Sequence, residues 1–141
     1  MSKQPKQRKA GFTLIELMIV IAIIAILAAI LVPNFIRARA QGQLTACKSN
    51  VKNLATSLEM YSTDNAGHYP ANNNVTLLTP NYLKIIPQCP SAQSSTYSSQ
   101  YTSNTVPDAY TIGCSGQYHT AAGVNSANYP QYSSYSGLLL P

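Results

Sequence analysis

The sequence predicts an α+β fold: a long N-terminal α-helix packed on a small C-terminal antiparallel β-sheet domain. Three observations predict it. From Phe12 to Val32 only Thr13 and Glu16 interrupt an apolar run. After Gly42 the apolar residues fall on one side of the chain at helical spacing. Beyond Gly67 the chain is rich in Ser, Thr, Asn, Gln and Tyr, and its β-favouring segments are short.

The apolar run sets the organisation. At a helical rise of 1.5 Å per residue, about 20 such residues cross the hydrocarbon core of a bilayer. Lys3, Lys6, Arg8 and Lys9 precede the run. Positive charge on that side predicts a cytoplasmic N-terminus, with the rest of the chain beyond the membrane. Glu16 is the anomaly. A carboxylate in a membrane span costs roughly 2.5–3.5 kcal/mol on insertion scales and marks function by default. No Lys or Arg stands between Lys9 and Arg37. The cation that can meet Glu16 in the apolar layer is the α-amino group made by cutting the chain before Phe12. That amine can reach its own Glu16 or the Glu16 of a neighbouring copy, and the second option makes the acid an assembly device. A secretory signal peptide, cut near Ala28-Ala29, has a shorter apolar core and no acid near its start.

The residues Gly11-Phe12-Thr13-Leu14-Ile15-Glu16, after a short basic leader and before an apolar run, resemble the N-terminus of type IV prepilins and the related type II secretion pseudopilins. The close resemblance runs from about Lys9 to Arg39. It implies residues 1–11 as a cytoplasmic leader removed by a prepilin peptidase and methylase, with Gly11 the last leader residue. It implies Phe12 as the methylated N-terminus and Glu16 as the acid that recognises a neighbouring subunit. The implied partners are identical subunits in a helical filament, an inner-membrane assembly machinery, and the lipid bilayer before assembly. The implied location is the inner membrane for the precursor, then an extracellular pilus.

Residues 12–33 form the hydrophobic, membrane or filament-core part of the helix, which begins near Thr13. Pro33 removes one backbone hydrogen bond and crowds the preceding turn, so a kink or local unwinding is expected at Ala29–Val32. The resemblance implies that such a segment loses helix within the filament. Gly42 is a second weak point, costing about 1 kcal/mol relative to alanine. Residues 34–65 form the amphipathic half. Leu44, Cys47, Val51, Leu54, Leu58 and Tyr61 make one narrow apolar stripe, with Lys48, Asn50, Lys52, Asn53 and Glu59 off it. The helix is expected to end at Asp64-Asn65-Ala66-Gly67.

Residues 66–141 form the small globular domain. A short helical turn is expected near Thr76–Leu78, capping the stripe. Thr96–Thr102, with Tyr97 and Tyr101 on one face, reads as a strand; Asp108–Cys114, bounded by Pro107 and Gly113, reads as a better one; Gln117–Thr120 reads as a third. The sheet is expected to hold two to four strands, with the tail from Tyr129 lying over the surface. The ten tyrosines are expected at core edges and subunit interfaces with their hydroxyls wet.

Cys47, Cys89 and Cys114 allow three single pairings. Cys89–Cys114 is favoured, because Cys47 belongs to the helical stripe. Closing that loop stabilises by roughly 3 kcal/mol in the chain-entropy model.

The composition disfavours other classes. The nine basic residues include four in the leader, so the remaining five nearly balance the four acids and do not argue for nucleic acid. Arg37, Arg39, Lys48 and Lys52 are placed to meet lipid headgroups and then neighbouring subunits. His68 and His119 are expected at the surface or in loops. Together with the cysteines they lack the short paired spacing of a zinc site, so no metal, cofactor or catalytic set is assigned. Pseudopilins as a family bind calcium through carboxylates in C-terminal loops. This chain has only Asp108 after Asp64, which favours a pilin. The alternatives are a major pseudopilin of a secretion or DNA-uptake system and a membrane-anchored binding domain that does not polymerise.

Overall fold

The computed structural model describes residues 11–106 and 108–139. It divides the chain into two compact units, Met1–Phe35 and Ile36–Pro141. Residues 1–10, which hold the expected leader apart from Gly11, lie outside the described residues, as do Pro107 and residues 140–141.

One helix, α1 (Leu14–Asp64), supplies most of the first unit and begins the second. It starts one residue after the expected position and ends where Asn65, Ala66 and Gly67 allow it to. Ala66 and Gly67 take positive φ of 57° and 90°, and the Gly67 N–H donates to Ser62 O at 2.9 Å. Glycine reaches that left-handed conformation without a Cβ penalty, so the last turn closes on its own carbonyls. The helix passes unbroken through Pro33 and Gly42. The unwinding expected at Ala29–Val32 is absent: proline removes one ladder bond, and the surrounding long run of apolar helix formers holds the turn.

Among its described residues the first unit buries nothing. Every described residue from Gly11 to Phe35 is exposed. The second unit contains the core. The stripe behaves as its spacing predicts: Leu44, Cys47, Val51, Leu54 and Leu58 are buried, and Tyr61 packs at the margin. A short 3₁₀ turn, Val75–Leu78, buries Val75 and Leu78 against that stripe.

The sheet has four antiparallel strands in the order β1 (Thr102–Thr105), β2 (Asp108–Gly113), β3 (Gln131–Ser133) and β4 (Gly137–Leu138). β2 is the expected better strand, and its Ala109, Tyr110 and Ile112 are buried. Gly113 is required where β2 meets the approach to β3. A Cβ there would lie 2.7 Å from Gln131 Cγ and 2.9 Å from Asn128 O.

Three expectations fail. Thr96–Thr102 is not a strand: Ser98–Gln100 forms a 3₁₀ turn and β1 begins only at Thr102. Tyr97 and Tyr101 share a side because a turn separated by four residues returns both to the core, where each is fully buried. Gln117–Thr120 is turn leading into a 3₁₀ segment, Thr120–Ala122. The tail from Tyr129 supplies β3 and β4 rather than only covering the surface.

The tyrosines also sit deeper than expected. Tyr97, Tyr101 and Tyr110 are core residues whose hydroxyls find partners inside the domain. Tyr101 Oη donates to Pro70 O at 2.8 Å and Tyr110 Oη to Ala55 O at 3.3 Å. Burial raises the pKa of Tyr101 to about 12 and that of Tyr97 and Tyr110 further.

Candidate functional site

The N-terminal constellation is described from Gly11 onward. Gly11 is exposed, and a Cβ there would meet nothing within 4 Å, so the fold itself does not require glycine at that position. Phe12 is 83% exposed. Thr13 precedes α1 and reaches into its first turn. The Thr13 N–H and the Thr13 hydroxyl both donate to Glu16 Oε2, at 2.8 and 2.7 Å, and the Glu16 N–H donates to Thr13 Oγ1 at 3.3 Å. This is a capping box, in which the residue before the helix and the third residue within it satisfy each other's backbone donors. Its signal in the sequence is Thr13-x-x-Glu16. Glu16 therefore stands in an exposed apolar helix with its charge held by the helix start. Lys3, Lys6, Arg8 and Lys9 lie outside the described residues.

Around that carboxylate the apolar side chains of Leu14, Ile15, Leu17, Met18, Ile19, Ile23, Ile24, Ile26 and Leu27 are all more than half exposed. The helix is long and apolar enough to cross a membrane. A contiguous apolar surface of this size requires lipid or protein cover. Arg37 and Arg39 follow it and are exposed. Lys48 instead lies over the Tyr129 ring, 5.5 Å from its centroid.

A second constellation lies in the core of the second unit, and sequence spacing gave no sign of it. Cys47 on α1, Cys89 in the loop after the 3₁₀ turn, Cys114 immediately after β2, and His119 in the following turn converge. Their candidate ligand atoms all lie within 4.8 Å of one another, and all four residues are buried. His119, expected at the surface or in a loop, is 3% exposed. Cys89 and Cys114, expected to form a disulfide, are free thiols here, as is Cys47. Hydrogen bonding from Cys47 and Thr96 outweighs burial and lowers the Cys114 pKa to about 5, while Cys47 and Cys89 are pushed up.

Other titratable groups are dispersed. His68 Nδ1 lies 3.2 Å from Asp108 Oδ2 at the surface. Glu59 accepts from Tyr69 Oη at 3.0 Å and Asp64 from Tyr82 Oη at 2.9 Å. A depression of about 220 Å³ on the sheet is lined by Thr102, Asn104, Tyr110 and Ser133 among others, without a carboxylate, histidine or cysteine.

Comparison with known proteins bears on the N-terminal constellation first. Residues 6–32 match the family model of the prokaryotic N-terminal methylation motif. The chain is 41% identical over 66 residues to the type II secretion system core protein G of Pseudomonas aeruginosa, covering 47% of this chain and 46% of that protein. It is 54% identical over 54 residues to the type IV major pilin protein PilA of Myxococcus xanthus, covering 38% of this chain and 24% of that protein. The chain thus matches less than half the length of either protein. A longer and weaker similarity, 28% identity over 130 residues, relates it to the type II secretion system core protein G of Vibrio cholerae, covering 83% of this chain and 87% of that protein. No solved structure matches it significantly.

Proposed function

Because this chain belongs to the type IV prepilin family, in which type IV pilins and type II secretion pseudopilins stand together, we propose that it is the structural subunit of a type IV pilus-like surface filament. The observation that carries the reading is one carboxylate, Glu16, four residues after Phe12, in a helix start whose apolar side chains are uncovered. A prepilin peptidase cuts between Gly11 and Phe12 on the cytoplasmic face, and the new amine of Phe12 is methylated. The precursor waits in the inner membrane with α1 covered by lipid. During assembly the Phe12 amine of one subunit meets Glu16 of a neighbour, and burial of helix against helix replaces lipid. Leaving lipid gains only packing; once the helices stand outside the membrane, apolar burial at roughly 25 cal/mol per Å² relative to water holds the subunits together.

The chemistry of this role is recognition and packing. An amine and a carboxylate that meet in an apolar layer are both relieved of an isolated buried charge, which makes subunit register specific. Pro33 and Gly42 are the positions at which α1 can yield as subunits pack.

The second reading is a major pseudopilin of a secretion machine. It is favoured by the similarity that spans most of both chains in the Vibrio cholerae comparison. Shearing cells at native expression separates the readings. The proposal expects long surface fibres that contain this chain. Fibres seen only on overexpression favour the pseudopilin, and a chain that never enters fibres overturns both in favour of an anchored domain.

A further inference from the structure

We propose that Cys47, Cys89, Cys114 and His119 hold one zinc ion in a closed, tetrahedral S₃N site at the centre of the C-terminal domain.

The geometry is that of a ligand set. A tetrahedral zinc with Zn–S of about 2.3 Å and Zn–N of about 2.05 Å sets its sulfurs about 3.8 Å apart and its nitrogen about 3.6 Å from each sulfur. Cys47 Sγ and Cys89 Sγ are 3.9 Å apart, Cys89 Sγ and His119 Nε2 are 3.8 Å apart, and all four donor atoms fit within 4.8 Å. A disulfide needs sulfurs about 2.05 Å apart. Any one disulfide among these three sulfurs also strands the third thiol and the imidazole together in the core.

Each donor is held from behind. Ser91 Oγ lies 3.2 Å from His119 Nδ1, where it can accept an Nδ1–H while Nε2 faces the sulfurs. Thr96 Oγ1 is 3.1 Å from Cys114 Sγ. Tyr97 Oη is 3.3 Å from Cys47 Sγ, and Asn50 Nδ2 donates to Tyr97 Oη, so the tyrosine proton is directed at the sulfur. The Cys89 backbone is fixed by its own N–H donating to Ser94 O at 3.0 Å and by the Gln93 N–H donating to Cys89 O at 2.8 Å. The Thr96 and Tyr97 hydroxyls match thiolates and offset the net negative charge of three thiolates on one divalent cation.

The donor set selects the metal class. Three sulfurs and one imidazole suit zinc and exclude the hard, oxygen-seeking cations calcium and magnesium. Cys47, Cys89 and Cys114 are fully buried and His119 is nearly so. All four positions are thus filled by protein, which makes the site structural rather than catalytic. It ties α1 to the central loop, to the end of β2 and to the turn after it. Those elements are far apart in sequence, and the domain they join is small.

The test uses the full chain without an affinity tag, purified in detergent micelles, with metal content measured by plasma mass spectrometry. The expected result is about one zinc per chain, three thiols that resist alkylation until chelator is added, and a lower melting temperature after chelation. Cobalt in place of zinc is expected to give thiolate-to-cobalt charge-transfer bands and intense tetrahedral d–d bands. Zinc at background level, absent cobalt bands, or a native chain lighter by two hydrogens from a disulfide among these cysteines overturns the site. Cys114→Ser is expected to lose the metal. Should that variant fail to fold, His119→Cys keeps the account testable: it retains zinc and strengthens the charge-transfer bands, whereas an unchanged cobalt spectrum removes His119 from the ligand set. His68→Gln, at the surface, leaves metal content unchanged.

Discussion

Thr13 and Glu16 close the start of α1 on each other: one carboxylate oxygen, Oε2, accepts from both the Thr13 N–H and the Thr13 hydroxyl at 2.8 and 2.7 Å. Both hydrogen bonds fall on that one oxygen. A carboxylate can accept several hydrogen bonds, so Glu16 retains capacity for a neighbour's amine while it caps its own helix. The two roles are separable by substitution.

Glutamine preserves a capping box and removes the charge. Glu16→Gln is therefore expected to fold and insert like the native chain and to assemble poorly. Glu16→Ala is expected to insert at least as well, lose the cap, and also assemble poorly. Filament yield from sheared cells, set against membrane content, checks both. Normal yield from Glu16→Gln means that the charge has no part in assembly.

Thr13→Val removes the side-chain half of the box. Loss of a capping hydroxyl costs about 1 kcal/mol. Amide exchange in micelles is expected to accelerate over Leu14–Met18 and to remain unchanged beyond Val32. Cleavage after Gly11 is expected to proceed, because Thr13 is held by its helix rather than by the cut bond.

The two parts of α1 predict opposite phenotypes. Leu54 is fully buried in the domain core, and Leu54→Ala is expected to lose about 2–5 kcal/mol of domain stability. Ile24 is more than half exposed. Ile24→Ala is expected to leave the domain's thermal unfolding unchanged and to lower the resistance of assembled fibres to detergent. Circular dichroism melts and fibre dissociation curves on the same two variants check the pair.

Alkaline pH is expected to unfold the domain through its buried tyrosines. A tyrosine ionises near pH 10 in an unfolded chain, and burial raises Tyr101 to about 12 in the folded one. Its stabilising contribution is full below about pH 10 and is lost as pH rises through about 12. Tyr101→Phe is expected to cost about 1 kcal/mol at neutral pH, from the lost bond to Pro70 O, and to flatten the fall at high pH. Stability that does not change between pH 10 and 12 contradicts this ordering.

The helix and the position of the core stripe were legible in sequence because their periodicity is strong: Leu44, Cys47, Val51, Leu54 and Leu58 fall on one side whatever they pack against. β2 was legible because Tyr110, Thr111 and Ile112 favour strands and Gly113 bounds them. β3 and β4 were not, because Gln131-Tyr132-Ser133 and Gly137-Leu138 are short and carry little β preference of their own; pairing with β2 makes them strands. Tyr97 and Tyr101 misled because spacing by four reads as one face of a strand and equally as one turn. The N-terminal constellation lies in contiguous residues, and its cap is written there as Thr13-x-x-Glu16. The cysteine and histidine cluster was not readable. Its members are separated by 42, 25 and 5 positions, and only the folded domain brings them within 4.8 Å.

The central claim is that cutting before Phe12 creates the partner of Glu16. Intact mass, with N-terminal fragmentation, on protein sheared from cell surfaces tests it most directly. The account predicts a chain that begins at methylated Phe12. A chain that begins beyond Ala28, or an uncut chain left in the membrane, would leave Glu16 without an amine to meet and would contradict it.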